Sequence, residues 1–428
     1  MSSVNYSKES AALLDKEDKL AGFRERFYIP PQTIYMDGNS LGLLSRDSEE
    51  SIMRVVNEWK KLAITGWLSA KRPWFWFAEE MGVMASQIVG AQPGEVIMTG
   101  TTTVNIHALV SSFYRPEGER KKIVADEQNF PSDIYALKGQ IKLRGLDPEK
   151  ELILAKANDN GYLDERKIVE LMTPETAIVF LPSVVYHTGQ LLDIGFLTEE
   201  AHKRGILIGF DCSHSAGTIP HNFDQWGVDF ALWCSYKYLN GGPGATAFLY
   251  VNKKHFYREP FMTGWFGCLK EKQFEMLNEF IPAPDAGRWQ ISSPAILSSA
   301  PLEGALNITL EAGIENIREK SLKLTSFLSG LIQQRIIPKF EEFRIVTPPE
   351  DERRGGHIAI EHPEAVRINE ALKARGIVPD LRPPSIIRLA PAALYNTFTE
   401  VWKVAENLQE IMEAGEYKLF SGERNPVS

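Results

Sequence analysis

The chain has 428 residues, 43% hydrophobic and 24% charged, with a formal net charge of -9. That is apolar content enough for two or three packed domains, and it excludes intrinsic disorder. No lysine- or arginine-rich block stands out and no apolar run is long enough for a membrane span, so neither a broad nucleic-acid footprint nor a membrane anchor is expected.

Three cysteines, Cys212, Cys234 and Cys268, lack metal-ligand spacing and cannot build a disulfide framework. The N-terminus is polar and lacks the apolar core of a secretory signal. A cytoplasmic chain without a metal site is the expectation.

In chain order, the first thirty residues read as a short helix and then a loop at Pro30–Pro31. Helical periodicity runs from about Ser48 to Leu62. EVIMTG (95–100) reads as a short strand and TTTVNIHALVSSF (101–113) as a helix. Apolar runs then recur at 122–126, 151–156, 176–185, 205–211, 229–235 and 245–251, with helical stretches such as 197–205 between several of them. Strands that are apolar throughout and alternate with helices predict a mainly parallel, buried sheet. A different texture begins near Leu302, with one long helical stretch to about Arg335, then short strands, a helix at PEAVRINEALKARG and a last helix near 399–415. The expected architecture is α/β. Residues 1–44 form a segment packing with the small domain, 45–300 a large domain with a mainly parallel sheet flanked by helices, and 301–428 a smaller α+β domain.

Two strand ends carry the chemistry. In GFDCSHSAG, Asp211 closes an apolar strand and His214 follows three residues later. In WCSYKYLNGGPGA, Lys237 lies just past the next apolar strand between Tyr236 and Tyr238, ahead of a glycine-rich turn. Ligands of parallel sheets bind at the carboxyl ends of strands, so the acid and the lysine would face one crevice. A lysine that forms a Schiff base and an acid that pairs with a pyridinium nitrogen are what pyridoxal phosphate requires. TGTTTVNIH offers hydroxyls and backbone N–H groups at a helix start, a natural phosphate site. NFPSD offers Phe130 as an aromatic plane and Asp133 as a polar contact.

The blocks MDGNSLGLL (36–44), KRPW (71–74), TVNIH, NFPSD, TGQ (188–190), WGVDFALWCSYKYLN, GWFG (264–267) and IRLAPAALYN (387–396) closely resemble the kynureninase family, and the resemblance runs through nearly the whole chain. It implies a pyridoxal-phosphate enzyme of the fold type I aminotransferase superfamily. Such an enzyme hydrolyses L-kynurenine to anthranilate and L-alanine, or the 3-hydroxy substrate to 3-hydroxyanthranilate, in tryptophan degradation and NAD biosynthesis. It also implies a homodimer with shared active sites. By motif, Lys237 would carry the cofactor, Asp211 would pair with its ring nitrogen with His214 nearby, and Phe130 would stack on the ring beside Asp133. Thr102 and Thr103, helped by Tyr236, would bind phosphate, with Trp265 and Ser293 contributed by the partner subunit. Tyr236 is also the expected proton donor. Arg388 would hold the substrate carboxylate, and Ser40 and Trp67 would line the aryl end. A bulky Trp67 wall predicts a preference for L-kynurenine over its 3-hydroxy form. The nearest rivals are a cysteine desulfurase, disfavoured because the last cysteine lies only thirty-one residues past Lys237, and a class V aminotransferase.

Overall fold

Strands that are apolar on both faces need cover on both faces, and the chain supplies it. The structure, a computed structural model, describes residues 6–423. Its large sheet has seven strands: β1 (Val96–Met98), β2 (Lys122–Asp126), β3 (Leu152–Ala155), β4 (Thr176–Pro182), β5 (Leu207–Asp211), β6 (Phe230–Trp233) and β7 (Phe248–Val251), in the order β1-β7-β6-β5-β4-β2-β3. The pairs from β6 to β3 are parallel, whereas β7 runs antiparallel to both β6 and β1. Every residue of β4 is buried, as a central parallel strand requires.

The helices that matter are α1 (Lys8–Lys16), α2 (Arg46–Leu62), α3 (Phe77–Ile88), α4 (Thr102–Phe113), α5 (Pro131–Leu143), α6 (Ile194–Lys203), α7 (Ile296–Ala312), α8 (Ile314–Leu331), α9 (Ala365–Ala374) and α10 (Phe398–Ala414). A second sheet, ordered β10-β11-β9-β8, is built from β8 (Arg344–Ile345), β9 (Ile358–Glu361), β10 (Asp380–Arg382) and β11 (Ile386–Leu389). It packs with α8, α9 and α10 around a separate core that includes Leu324, Leu328, Ile360, Leu389 and Val401. The N-terminal helix α1 docks on α10: the Asp15 carboxylate accepts the backbone N–H groups of Phe398 and Thr399, at 2.6 and 3.0 Å. A carboxylate there also suits the positive end of the helix dipole.

The long helical stretch expected from 302 to 335 is two helices. Gly313, with φ of 78°, breaks it. Leu302 and Leu306 of α7 belong to the core of the large sheet, while Leu324 and Leu328 of α8 belong to the second core. α7 packs along α2 and α3 on the large-sheet side of Gly313.

α7 and α2 approach so closely because of Gly304. A Cβ there would lie 2.3 Å from the backbone carbonyl of Asp47. Alanine normally stabilises a helix interior relative to glycine. At this site overpacking dominates, and Gly304→Ala is expected to destabilise the chain by about 1–3 kcal/mol. Urea unfolding measures it, and a midpoint at or above wild type would show that the two helices part freely.

Candidate active site

Four strand ends and one helix start converge on a cavity of about 420 Å³. β5 ends in Asp211, β6 leads into Tyr236 and Lys237, β2 leads into Phe130 and Asp133 at the start of α5, and β4 leads into Val184 and Tyr186. Thr101, Thr102 and Thr103 arrive at the start of α4. This is the carboxyl edge where parallel sheets place ligands.

Lys237 is held by its turn and by a neighbour. Asn240 N–H donates to the Lys237 carbonyl at 2.9 Å, and Gly241 N–H donates to the Ser235 carbonyl at 2.8 Å. Asn240, with φ of 55°, and Gly242, with φ of 84°, supply the left-handed backbone of that turn. The Lys237 Nζ lies 2.8 Å from His214 Nε2. Burial and the nearby cations hold the His214 imidazole well below its usual pKa, so it is neutral. Nε2 therefore accepts from the lysine and fixes the direction of Nζ.

The loop carrying GNSLG explains itself here. Gly42 N–H donates to the Tyr236 carbonyl at 2.7 Å, and a Cβ on Gly42 would lie 2.4 Å from the Lys237 carbonyl oxygen. Only glycine lets this loop lie against the lysine turn and bring Ser40 to the cavity wall.

The cavity has an acidic end and an anion-binding end. Asp211 accepts Ser213 N–H at 2.7 Å, and its own carbonyl is capped by Ser183. Asp133 sits against it. Burial and the Asp211 charge raise the Asp133 carboxyl well above the usual carboxylate range. At the other end, α4 starts without a side-chain cap, leaving its first N–H groups for an anion, with the Thr102 and Thr103 hydroxyls beside them. Burial also raises the Tyr236 phenol, so it keeps its proton.

Buried polar atoms without a partner, His214 Nδ1 and Asp133 Oδ2, mark the space as one built for a ligand. The set fits pyridoxal phosphate: a carboxylate for the ring nitrogen, an amine for the carbonyl carbon, a helix start for the phosphate, and Phe130 as an aromatic wall. The Phe130 ring is itself braced edge-on by Tyr186, at 5.3 Å between centroids.

The structure thus brings together nine of the expected residues: Ser40, Thr102, Thr103, Phe130, Asp133, Asp211, His214, Tyr236 and Lys237. Four others do not line this cavity. Arg388 is fully buried and engaged by Asp380. Trp67 packs at 6.0 Å from both Trp74 and Phe266 and lines a surface groove with Trp59 and Leu297. The expectation that Trp67 lines the aryl end is therefore not met within one chain, because the aromatic cluster holds it outside. Trp265 is 42% exposed, and Ser293 lines a neighbouring cleft that shares Thr101 with the cavity. Both had been expected from a partner subunit. Sequence reasoning missed Tyr186 and Arg382 as cavity residues. Tyr186 follows a strand end, so the rule that singled out Asp211 could have found it.

The comparisons now bear on this geometry. The family described as "Kynureninase C-terminal domain" matches residues 317–408. The kynureninase of Geobacillus thermodenitrificans (strain NG80-2) is 54% identical, covering 98% of this chain and 98% of its own length. That of Bacillus cereus (strain ATCC 10987 / NRS 248) is 52% identical over the same shares. Among solved structures, the apo cysteine desulfurase from Thermococcus onnurineus NA1 is similar with a TM-score of 0.78 and 17% identity, covering 92% of this chain and 98% of that one. The cystine C–S lyase C-DES is similar with a TM-score of 0.76 and 16% identity, covering 89% and 98%. At such identities the shared property is the fold, that of the type I pyridoxal-phosphate enzymes.

Proposed function

The chain belongs to the kynureninase family, and from that premise we propose that it is a pyridoxal-phosphate-dependent hydrolase cutting L-kynurenine to anthranilate and L-alanine in tryptophan catabolism. The observation that most supports this reading is the placement of Lys237 Nζ in one cavity with the Asp211–Asp133 pair and the uncapped start of α4. Bound pyridoxal phosphate supplies the electron sink for breaking the carbon–carbon bond beside the ketone.

The residues of the chain supply the rest. Asp211 would hold a proton on the ring nitrogen of bound pyridoxal phosphate. Thr102, Thr103 and the α4 N–H groups would hold its phosphate. Lys237 Nζ, aimed by neutral His214, takes the substrate α-proton and returns one later. Water adds across the broken bond, its hydroxyl to the acyl carbon that leaves as anthranilate and a proton to the carbon that becomes the alanine methyl. Tyr236, which keeps its phenolic proton, is the donor for that last transfer. No cysteine lines the cavity among the described residues, and Cys212 and Cys234 are buried behind its wall. That disfavours desulfurase chemistry. The test is to supply L-kynurenine and pyridoxal phosphate and follow anthranilate fluorescence against alanine. Equal amounts without any keto acid support hydrolysis, whereas a need for added pyruvate or 2-oxoglutarate would make the protein an aminotransferase.

The working unit is a homodimer with shared sites, in which Trp67, Trp265 and Ser293 reach the partner's cavity. Support comes from one continuous aromatic face: Trp265 against Phe274, Phe274 against Phe75, Phe75 against Phe266 and Phe266 against Trp67. Trp59 at 57% and Phe274 at 71% exposure lie along it, and exposed apolar area of this kind marks an interface. The three free cysteines agree with a cytoplasmic setting. No helix among the described residues is long and apolar enough to cross a membrane.

Trp67 at a shared site would form an apolar wall for the aryl ring. An unpaired 3-hydroxyl buried against it costs about 1–3 kcal/mol. Wild type is expected to prefer L-kynurenine over 3-hydroxykynurenine in kcat/KM, and Trp67→His, which offers a hydrogen-bond partner, is expected to narrow the gap. A ratio unmoved by the substitution would remove Trp67 from the specificity pocket.

A further inference from the structure

Lysines are seldom buried unless they are paired. Lys270 is such a lysine. It opens a four-residue helix, Lys270–Gln273, just after the GWFG block, and its side chain is only 7% exposed. Its Nζ lies 4.5 Å from the ring centroid of Phe75, 4.7 Å from that of Trp76 and 4.8 Å from that of Phe266. It donates to the Phe75 carbonyl and pairs with Glu79 Oε1 at 2.8 Å. One carboxylate, one carbonyl and three aromatic rings thus take the place of water around the ammonium.

The groups around Nζ come from the segments that carry the exposed aromatic face. Phe75 and Trp76 belong to the turn Trp74–Trp76, and Phe266 passes the contact on to Trp67 at 6.0 Å. Phe266 adjoins Trp265, whose carbonyl accepts from Gln273 Nε2 at 2.8 Å, at the end of the same short helix. Glu79, near the start of α3, also accepts from Gln290 Nε2 at 2.9 Å, three residues before Ser293. The GWFG backbone is pressed on that stretch. A Cβ on Gly264 would collide with the Ile291 carbonyl, and one on Gly267 would lie 2.6 Å from the Arg288 carbonyl oxygen. One ammonium therefore ties together the segments that carry Trp67, Trp265 and Ser293. Trp265 itself is 42% exposed and meets Phe274 at 5.7 Å, so its direction is set by the backbone that carries it rather than by a packed core.

We propose that Lys270 is a positioning residue. Clamped between Glu79 and the rings of Phe75, Trp76 and Phe266, it holds the GWFG segment so that Trp265 of one subunit meets the cofactor phosphate in the other. The inference rests on the shared-site reading above and adds the element that aims it. A compact ammonium suits a cage of three rings, whereas a planar guanidinium stacks on one face, so arginine is a poor substitute here.

The experiment measures pyridoxal phosphate binding to the full-length chain by the cofactor absorbance, and assembly by sedimentation. Lys270→Met keeps most of the side-chain volume and removes the charge. It is expected to weaken cofactor binding about 10-fold while the dimer persists. Trp265→Ala is expected to weaken binding by itself, and adding Lys270→Met to it is expected to weaken binding no further, because the lysine acts through Trp265. An equal loss in both backgrounds, the mark of a merely structural residue, overturns the assignment, and so does wild-type affinity in Lys270→Met. Mixed dimers of a Lys237→Ala chain with a Lys270→Met chain read the direction of the effect. One of their two cavities joins an intact lysine to an intact GWFG segment from the other chain, so half of the sites are expected to bind at wild-type affinity. Weak binding at every site overturns action across the interface. Where Lys270→Met does not fold, Glu79→Gln, which removes the paired charge and keeps the rings, must show the same pattern or the assignment falls. A wild type that sediments as a monomer overturns it together with the shared-site reading.

Discussion

Replacing Lys237 with alanine is expected to abolish turnover, because among the described residues no other lysine lines the cavity to take the role proposed for it. Nζ lies in the cavity, 2.8 Å from a neutral imidazole, with its backbone tied by the Asn240 turn and by close contact with Gly42. A positioned general base or acid alone accounts for about 10²–10⁴-fold in rate, and loss of the covalent attachment point for the cofactor adds to that. The check has two parts. Steady-state assays should show activity at background in Lys237→Ala. Borohydride reduction of wild type followed by peptide mapping should place the pyridoxyl label on Lys237, and label on any other lysine would sink the assignment. His214→Asn separates aiming from chemistry. It removes the acceptor from Nζ but leaves the lysine, so a partial loss in kcat is expected rather than silence.

The parts of this site that were legible in the sequence are those where chemistry and periodicity coincide. Asp211 and Lys237 each follow a run that is apolar throughout, and such runs can only be buried strands, so their ends had to share the ligand edge of one sheet. The helix start at Thr102 was legible for the same reason. The two arginines were not. Arg388 sits inside an apolar run, IIRL, which marks burial but does not reveal that Asp380 occupies its guanidinium. Arg382 lies on a three-residue strand with no periodicity to read, and its access to the cavity depends on the pairing of β10 with β11. Trp67 was read as a cavity residue from its motif, yet within one chain its position follows from aromatic packing with Trp74 and Phe266. The Gly313 break was missed because residues on both sides are strong helix formers with apolar periodicity. Only the two separate cores on either side of it divide the helices.

Asp211→Asn is expected to keep the cofactor and lose most of the rate. The amide is isosteric, and its oxygen can still accept the Ser213 N–H that Asp211 holds at 2.7 Å, so the local fold should survive. The negative charge is what disappears. In the proposed mechanism that charge would keep a proton on the cofactor ring nitrogen, and without it the electron sink would weaken in the transition state more than in the bound ground state. The loss should appear in kcat, by about 10²-fold or more, with KM nearly unchanged. Asp133→Asn is the internal control. Asp133 is the carboxyl of the pair that burial and the Asp211 charge push up, toward its protonated form, so an amide N–H can stand in for a carboxyl proton and only a small change in kcat is expected. Measuring kcat, KM and the cofactor absorbance of both variants decides between the two carboxyls. Equal losses would mean that they act as one unit sharing a proton. An unchanged kcat in Asp211→Asn would make that residue a structural strand end, and the acidic partner of the ring would have to be Asp133.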